Sequence, residues 1–244
     1  MDRYKSTKKA SILGIIGNVF LLIIKGIIGF MTNSQAMIAD SVNSAGDIFS
    51  SCMTFIGNKI ASKPSDESHN LGHGKAEYIF SLLISLSMIF VAIKLLIDSV
   101  QSLKNPEGYT FSWFLIVVCI VTIATKLGLY IYTHSLSKKH NNLLIEANAN
   151  DHRNDCVVTT FNLIAALLSL KHILWFDGIV GIGISLWICY TGIKIFIESY
   201  NVLMDKSINK EDKDKVLAII DRHPEIKKIQ HFNSTPVGYK YQIS

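Results

Sequence analysis

The stretch Glu146-Ala-Asn148-Ala-Asn150-Asp151-His152-Arg153-Asn154-Asp155, followed by the apolar run Cys156–Leu170, decides the fold. The apolar run alone holds 15 residues. That falls short of the about 20 residues a helix needs to cross about 30 Å of hydrocarbon. Read as a loop and a stub, the chain has five spans. Read as one helix over 141–170, it has six. The other runs lie at about 10–31, 36–60, 77–103, 111–136 and 173–203.

Charge in the connections separates the two readings. Arg3, Lys5, Lys8 and Lys9 precede the first run, and the turn at 32–35 has no charge. Lys59, Lys63 and Lys75 follow the second run, and Lys104 with Glu107 follows the third. Lys138 and Lys139 follow the fourth, Lys171 the fifth, and Lys206, Lys210, Lys213 and Lys215 the sixth. Positive charge is higher in alternate connections, starting with the N-terminus. This pattern places both termini in the cytoplasm and requires an even number of spans.

Composition agrees with a membrane protein. Of 244 residues, 49% are hydrophobic and 18% charged, against about 25% charged in an ordinary soluble domain. The apolar content excludes a disordered chain, and four cysteines exclude a small disulfide scaffold. Cys52, Cys119, Cys156 and Cys189 lie in apolar segments without C-x-x-C spacing and read as small buried hydrophobes. The net charge of +5 is spread between apolar runs and carries no nucleic-acid motif. The first run is too long for a signal peptide and no A-x-A site follows it. Residues 1–9 read as a cytoplasmic tail, 10–204 as the six-helix unit and 205–244 as the start of a cytoplasmic domain. There the pattern predicts a helix over Lys210–His223, stopped before Pro224, and strands at Ile226–Phe232 and Tyr239–Ile243. The sequence ends inside the second strand, which reads as an incomplete domain.

Polar groups inside the spans are costly and face a cavity or a partner. Asn43 and Asp47 stand four residues apart in the second helix, as do Asp151 and Asp155 in the fifth. Each pair stacks on one helix face. Asp40 and Ser44 extend the first face; Asn148, Thr159 and Asn162 extend the second. Two facing pairs would offer up to four oxygen ligands to a divalent cation. Interhelical hydrogen bonds, or an Asp paired with Arg153 or Lys25, are the competing reading. Lys25 and Lys126 are expected to snorkel. The loop after the second helix gathers Asp66, His69 and His73, a second candidate metal site; a solvated loop explains the same residues.

Several ordered motifs give these clusters a family context. They are Ile38-Ala-Asp40-Ser-Val-Asn43-Ser-Ala-Gly-Asp47, then Lys63-Pro64 with Asp66, His69 and Gly72-His73-Gly74-Lys75-Ala76-Glu77. Asp151-His152-Arg153-Asn154-Asp155 and Leu203-Met204-Asp205 follow. From about Ser6 to Ser244 the chain resembles the cation diffusion facilitators, proton-coupled exporters of divalent metals. The resemblance implies an all-α membrane protein: a six-transmembrane-helix bundle with a partial α+β ferredoxin-like C-terminal cytoplasmic domain. It implies a multi-pass secondary transporter of the cell membrane, without enzymatic activity or cofactor, that forms a homodimer. Its transport site would be Asn43, Asp47, Asp151 and Asp155, and a second site Asp66, His69 and His73. Lys75 would pair with Asp205 near the dimer interface, although a solvated surface pair is the simpler account. His231 matches a ligand position of the C-terminal domain, but the partner position is Ser244, and a lone surface histidine is the better reading.

Zinc exporters of the family carry His-x3-Asp in both helices. Here Asn43 and Asp151 stand at the His positions, and His152 is rotated about 100° off the face. An oxygen-only set suits Mn²⁺ better than Zn²⁺ and resembles the manganese-exporting branch. The expected activity is Mn²⁺/H⁺ antiport, with Fe²⁺, Zn²⁺ or Co²⁺ as alternative cargo. A membrane-embedded hydrolase or metal sensor is the rival class, but no nucleophile or H-E-x-x-H motif is present.

Overall fold

A computed structural model describes residues 2–31, 35–104, 113–169, 175–223, 225–226, 228–238 and 240–244. Six long helices come first: α1 Asp2–Met31, α2 Gln35–Ala61, α3 Ala76–Lys104, α4 Trp113–His140, α5 Leu143–Ser169 and α6 Trp175–Leu203. A short helix and a hairpin follow: α7 Lys210–Ile220, β1 Ser234–Val237 and β2 Lys240–Ile243. Arg3–Ile28, Ala76–Lys104, Trp113–His140 and Gly178–Leu203 are long and apolar enough to cross a membrane. α2 and α5 are as long, but polar.

The start of α5 shows how the polar stretch becomes helical. Asn141 takes a left-handed φ of 46° and ends α4. Asn142 then caps the next helix, its Oδ1 accepting from the backbone N–H of Ile145 at 3.0 Å. Beyond the cap, Asn148, His152 and Asn154 are all buried. A helix with this composition is stable only with its polar face turned inward. Accordingly α1 packs on α2 and α4, and α5 packs on α4 and α2. α3 and α6 pair closely and lie against α2 and α5. Small residues allow that pairing. A Cβ at Gly181 would overlap the Ser99 side chain, and one at Gly192 would lie 2.9 Å from Ile89 Cγ1. Large apolar side chains such as Phe30, Phe90, Trp113 and Tyr190 point outward. This polar-in, apolar-out arrangement fits a lipid surround. The four cysteines are free and only half-buried, so their expected burial is partial.

α1 begins at Asp2, and Arg3 and Thr7 bury one side of its first turns while Lys5, Lys8 and Lys9 stay exposed. Arg3 donates two bonds to Glu77, Nη1 to Oε2 at 2.8 Å and Nη2 to Oε1 at 2.7 Å. Its Nε also donates to the His140 carbonyl at 3.2 Å. One guanidinium thus joins the first turns of α1 and α3 to the last residue of α4. We call this end of the bundle the near end; it also carries the loop between α2 and α3.

α6 ends in a Schellman motif, with Lys206 N–H bonded to Asn201 O and Asp205 N–H to Val202 O. Asp205 adopts φ 55° there. α7 is capped by Asn209, which accepts from Asp212 N–H at 2.8 Å, and it ends at Ile220, three residues before His223. β1 pairs antiparallel with β2 around Gly238, φ +62°. The expected strand at Ile226–Phe232 is absent among the described residues. The hairpin explains the difference: β2 takes the adjacent Ser234–Val237 as partner, and Asn233 and Ser244 extend the ladder with reciprocal bonds of 2.7 and 3.0 Å. Tyr239 lies outside the described residues. Gly74 of the α2–α3 loop abuts the hairpin turn, and a Cβ on it would stand 2.8 Å from Gly238 Cα.

Two outcomes follow from these contacts. Arg3→Ala leaves the Glu77 carboxylate buried and unpaired, which should lower stability by about 3–5 kcal/mol. Replacing Arg3 and Glu77 together by Met should recover most of that loss in thermal unfolding of detergent-solubilised protein. Gly74→Val should push the loop from the hairpin, read as faster hydrogen exchange across Lys240–Ile243 with exchange in α3 unchanged.

Candidate cation site

Asp47 of α2 and Asp151 and Asp155 of α5 converge in the middle of the bundle. One carboxylate oxygen from each lies within 4.8 Å of the others. One turn separates Asp151 from Asp155, so both project from the same side of α5. Asp47 faces them because α2 packs on α5. Asn18 of α1 steadies α2 here, its Nδ2 donating to the Asp47 carbonyl at 3.0 Å and to Ser51 Oγ at 3.2 Å. Asp151 Oδ2 is buried and has no hydrogen-bond partner among the described residues. Asn43 lies one turn before Asp47, but its side chain, like that of Asp40, is outside the described ones.

The expectation that Lys126 snorkels is overturned. Its side chain is 1% exposed, and Nζ lies 2.6 Å from both Asp47 Oδ2 and Asp155 Oδ2. Position explains this. Lys126 sits near the middle of α4, about 20 Å from either helix end at 1.5 Å per residue, too far for its stem to reach a surface. Lys25 is also buried, at 3% exposure.

A cavity of about 370 Å³ adjoins the cluster. Asp47, Lys126, Asp151 and Asp155 line its floor, and Lys94, Asp98, Leu115 and Asn162 line it further on. These last residues lie on the halves of α3, α4 and α5 away from Arg3 and Glu77, so the cavity extends toward the far end. Toward the near end the helices close. Ser50, Ser51, Thr54, Asn148 and His152 are buried there. A Cβ on Gly14 would lie 2.8 Å from Ser51 Oγ and 3.5 Å from His152 Nε2, so α1 seals this side closely. Both His152 ring nitrogens and both Asn148 amide atoms lack hydrogen-bond partners among the described residues. His152 is off the carboxylate face. Arg153 turns the other way, its guanidinium 4.3 Å from the centre of the Trp187 ring.

The loop residues also come together. Ligand atoms of Asp66, His69 and His73 lie within 4.8 Å of one another. Asp66 Oδ1 accepts from the backbone N–H of His69 at 2.7 Å and from that of Ser68 at 3.1 Å. The His69 N–H holds the Asp66 carboxyl below its ordinary range, so it stays charged. His73 Nδ1 lies 3.1 Å from the Pro64 carbonyl. A carbonyl can only accept, so Nδ1 carries the proton. The other nitrogen, Nε2, faces Asp66 Oδ2 at 3.4 Å. Nδ1–H fixed on a backbone carbonyl, with Nε2 beside a carboxylate, is the arrangement that lets a histidine and a carboxylate ligate one ion together. Lys75 Nζ meets Asp205 Oδ1 at 2.7 Å in a half-exposed pair. His231 is exposed and joins no cluster of potential ligands among the described residues.

Sequence reasoning missed Lys126, Asn18 and the Arg3–Glu77 pair. A lysine at mid-span was the available signal for the first. The other two depend on which helices are neighbours.

Comparison with known proteins places this geometry in a family. Residues 11–204 match the cation efflux transmembrane domain. A transporter of Methanocaldococcus jannaschii, MJ0449, is 32% identical over 89% of this chain and 80% of its own length. Two Bacillus subtilis proteins are named for manganese efflux. MneP is 27% identical over 98% of this chain and 82% of its own length. MneS is 32% identical over 84% and 72%. The chain therefore belongs to the cation efflux, or cation diffusion facilitator, family: it is a membrane transporter of metal cations and not an enzyme.

Proposed function

We propose that the protein exports Mn²⁺ from the cytoplasm in exchange for protons, through a site formed by Asn43, Asp47, Asp151 and Asp155. The observation that carries this reading is the convergence of three carboxylates on one buried point, with no imidazole or thiolate among the potential ligands there in the described residues. Oxygen ligands with waters suit Mn²⁺, whereas Zn²⁺ favours four-coordinate sites that include nitrogen or sulfur. The relatives named for manganese efflux add to that reading.

In this reading α1–α6 all span the membrane, and both termini lie in the cytoplasm. α2 and α5 cross only because their polar faces are turned inward. The near end then faces the cytoplasm, and the cavity opens outward. Metal loads when the near end is open, and the helices rock until the site faces the far end. There protons compete for the carboxylates, since a carboxyl returning empty through a low-dielectric passage is favoured when neutral. The loop cluster of Asp66, His69 and His73 binds a second metal at the cytoplasmic mouth. Residues 205–244 belong to an α+β cytoplasmic unit of ferredoxin type. Two copies associate with the Lys75–Asp205 pair near their interface.

Proteoliposomes with an imposed pH gradient test the cargo. The expected outcome is proton-driven Mn²⁺ flux well above Zn²⁺ flux. Dominant Zn²⁺, Fe²⁺ or Co²⁺ flux would replace the proposed cargo. Loss of an outer-shell group costs about 10- to 100-fold in metal affinity, and Asp155→Ala, which removes a ligand, should cost more and abolish export. Unaltered flux in a folded Asp155→Ala protein would refute the site. For the loop, Asp66→Asn should weaken a second Mn²⁺-binding event in calorimetry and leave the first in place.

A further inference from the structure

We infer that the Lys126 ammonium is a tethered cation that occupies the metal position of the unloaded transporter, so that a divalent ion loads only by displacing it. The inference rests on the transport site proposed above. Nζ stands 2.6 Å from Asp47 Oδ2 and 2.6 Å from Asp155 Oδ2. A hard divalent cation bonds carboxylate oxygen at about 2.0–2.6 Å. An ion shared by the same two oxygens would coincide with the ammonium or nearly touch it. Two like charges cannot share that point in a low-dielectric interior, so the states exclude one another. Lys126 itself lines the adjoining 370 Å³ cavity together with Asp98, which offers space and a carboxylate on the same wall for the displaced side chain. The third carboxylate, Asp151, keeps one oxygen without a hydrogen-bond partner among the described residues while Lys126 holds the other two carboxylates. The ammonium therefore leaves part of the ligand set open to an arriving ion.

Two properties follow. First, the lysine weakens metal binding, which a carrier needs because its cargo must leave as well as enter. Second, it selects by charge. Replacing a tethered ammonium with K⁺ or Na⁺ adds no charge to the three carboxylates. Replacing it with a divalent ion adds one. Monovalent ions, abundant in any cell, thus gain nothing by displacing it, and Lys126 acts as a specificity-determining residue without being a ligand.

The test is Mn²⁺ binding by calorimetry on the full chain in detergent, in choline chloride and in KCl of equal ionic strength. Lys126→Gln should bind Mn²⁺ at least about tenfold more tightly in choline, a change of about 1.4 kcal/mol. It should lose much of that gain in KCl, whereas the natural protein binds equally in both salts. The half-saturating Mn²⁺ concentration for export should fall in parallel. Lys126→Arg, which keeps the charge, should resemble the natural protein in its indifference to KCl. Lys126→Met replaces the Gln variant if the latter does not fold. Unchanged or weaker Mn²⁺ binding in choline by a folded neutral variant overturns the inference, as does indifference of that variant to KCl. Asp155→Ala separates the two levels. If it binds Mn²⁺ as the natural protein does, the site reading fails. If it loses binding while the neutral Lys126 variants bind no more tightly, only the inference fails.

Discussion

Everything in the bundle is arranged around carboxylates that have to be kept out of lipid. Asp47, Asp151 and Asp155 converge, and the Lys126 ammonium pairs with the first and the last of them. Charges in that position are stable only if they face each other and the surrounding helices close over them. α2 and α5 supply the acids, α4 the cation, and α1 holds α2 through Asn18. The apolar surfaces of α1, α3, α4 and α6 are then left to face outward. The order of packing, polar in and apolar out, follows from that one electrostatic requirement.

Much of this was legible in the sequence because it is local. The four-residue spacing of acids marks a helix face. The shortness of Cys156–Leu170 carries the fifth helix back to about residue 141. Apolar runs mark the long helices α1, α3, α4 and α6. Other features resisted for physical reasons. Lysine in an apolar run is normally read as snorkelling, and only its distance from both helix ends shows that Lys126 cannot. Arg3 and Glu77 are 74 residues apart, so nothing in either neighbourhood announces the other. The strand expected at Ile226–Phe232 has an adequate apolar pattern. A pattern does not choose a partner, and the hairpin with the shorter loop won. The loop cluster of Asp66, His69 and His73 stood out in the sequence, but not the Pro64 carbonyl that orients His73.

The two ends of the bundle are unequal. Toward the far end the cluster meets a cavity; toward the near end it meets a packed column of small polar side chains. That column is unusual in its unmet hydrogen-bonding capacity, with His152 and Asn148 both unpartnered among the described residues. Groups of this kind are costly in a dry, fixed interior. They are less so in a passage that is hydrated for part of its working cycle. In the proposed orientation this column is the cytoplasmic route to the site, which accounts for its polarity and for its closure here.

The Arg3–Glu77 fork closes the cytoplasmic mouth in that orientation, and it bears on the solvent as well as on the fold. Parting the two groups strips each of its oppositely charged partner in a dry space, so the separated state has to be stabilised by hydration. Several water molecules would be taken up in each opening of the mouth. Water activity is then a reactant in the transport cycle. Solutes too large to enter the crevice would hold the protein closed without touching it, in the same way that they draw water from any narrow space. Export in a dehydrated or osmotically stressed cell would slow at this step even if metal supply and the proton gradient were unchanged.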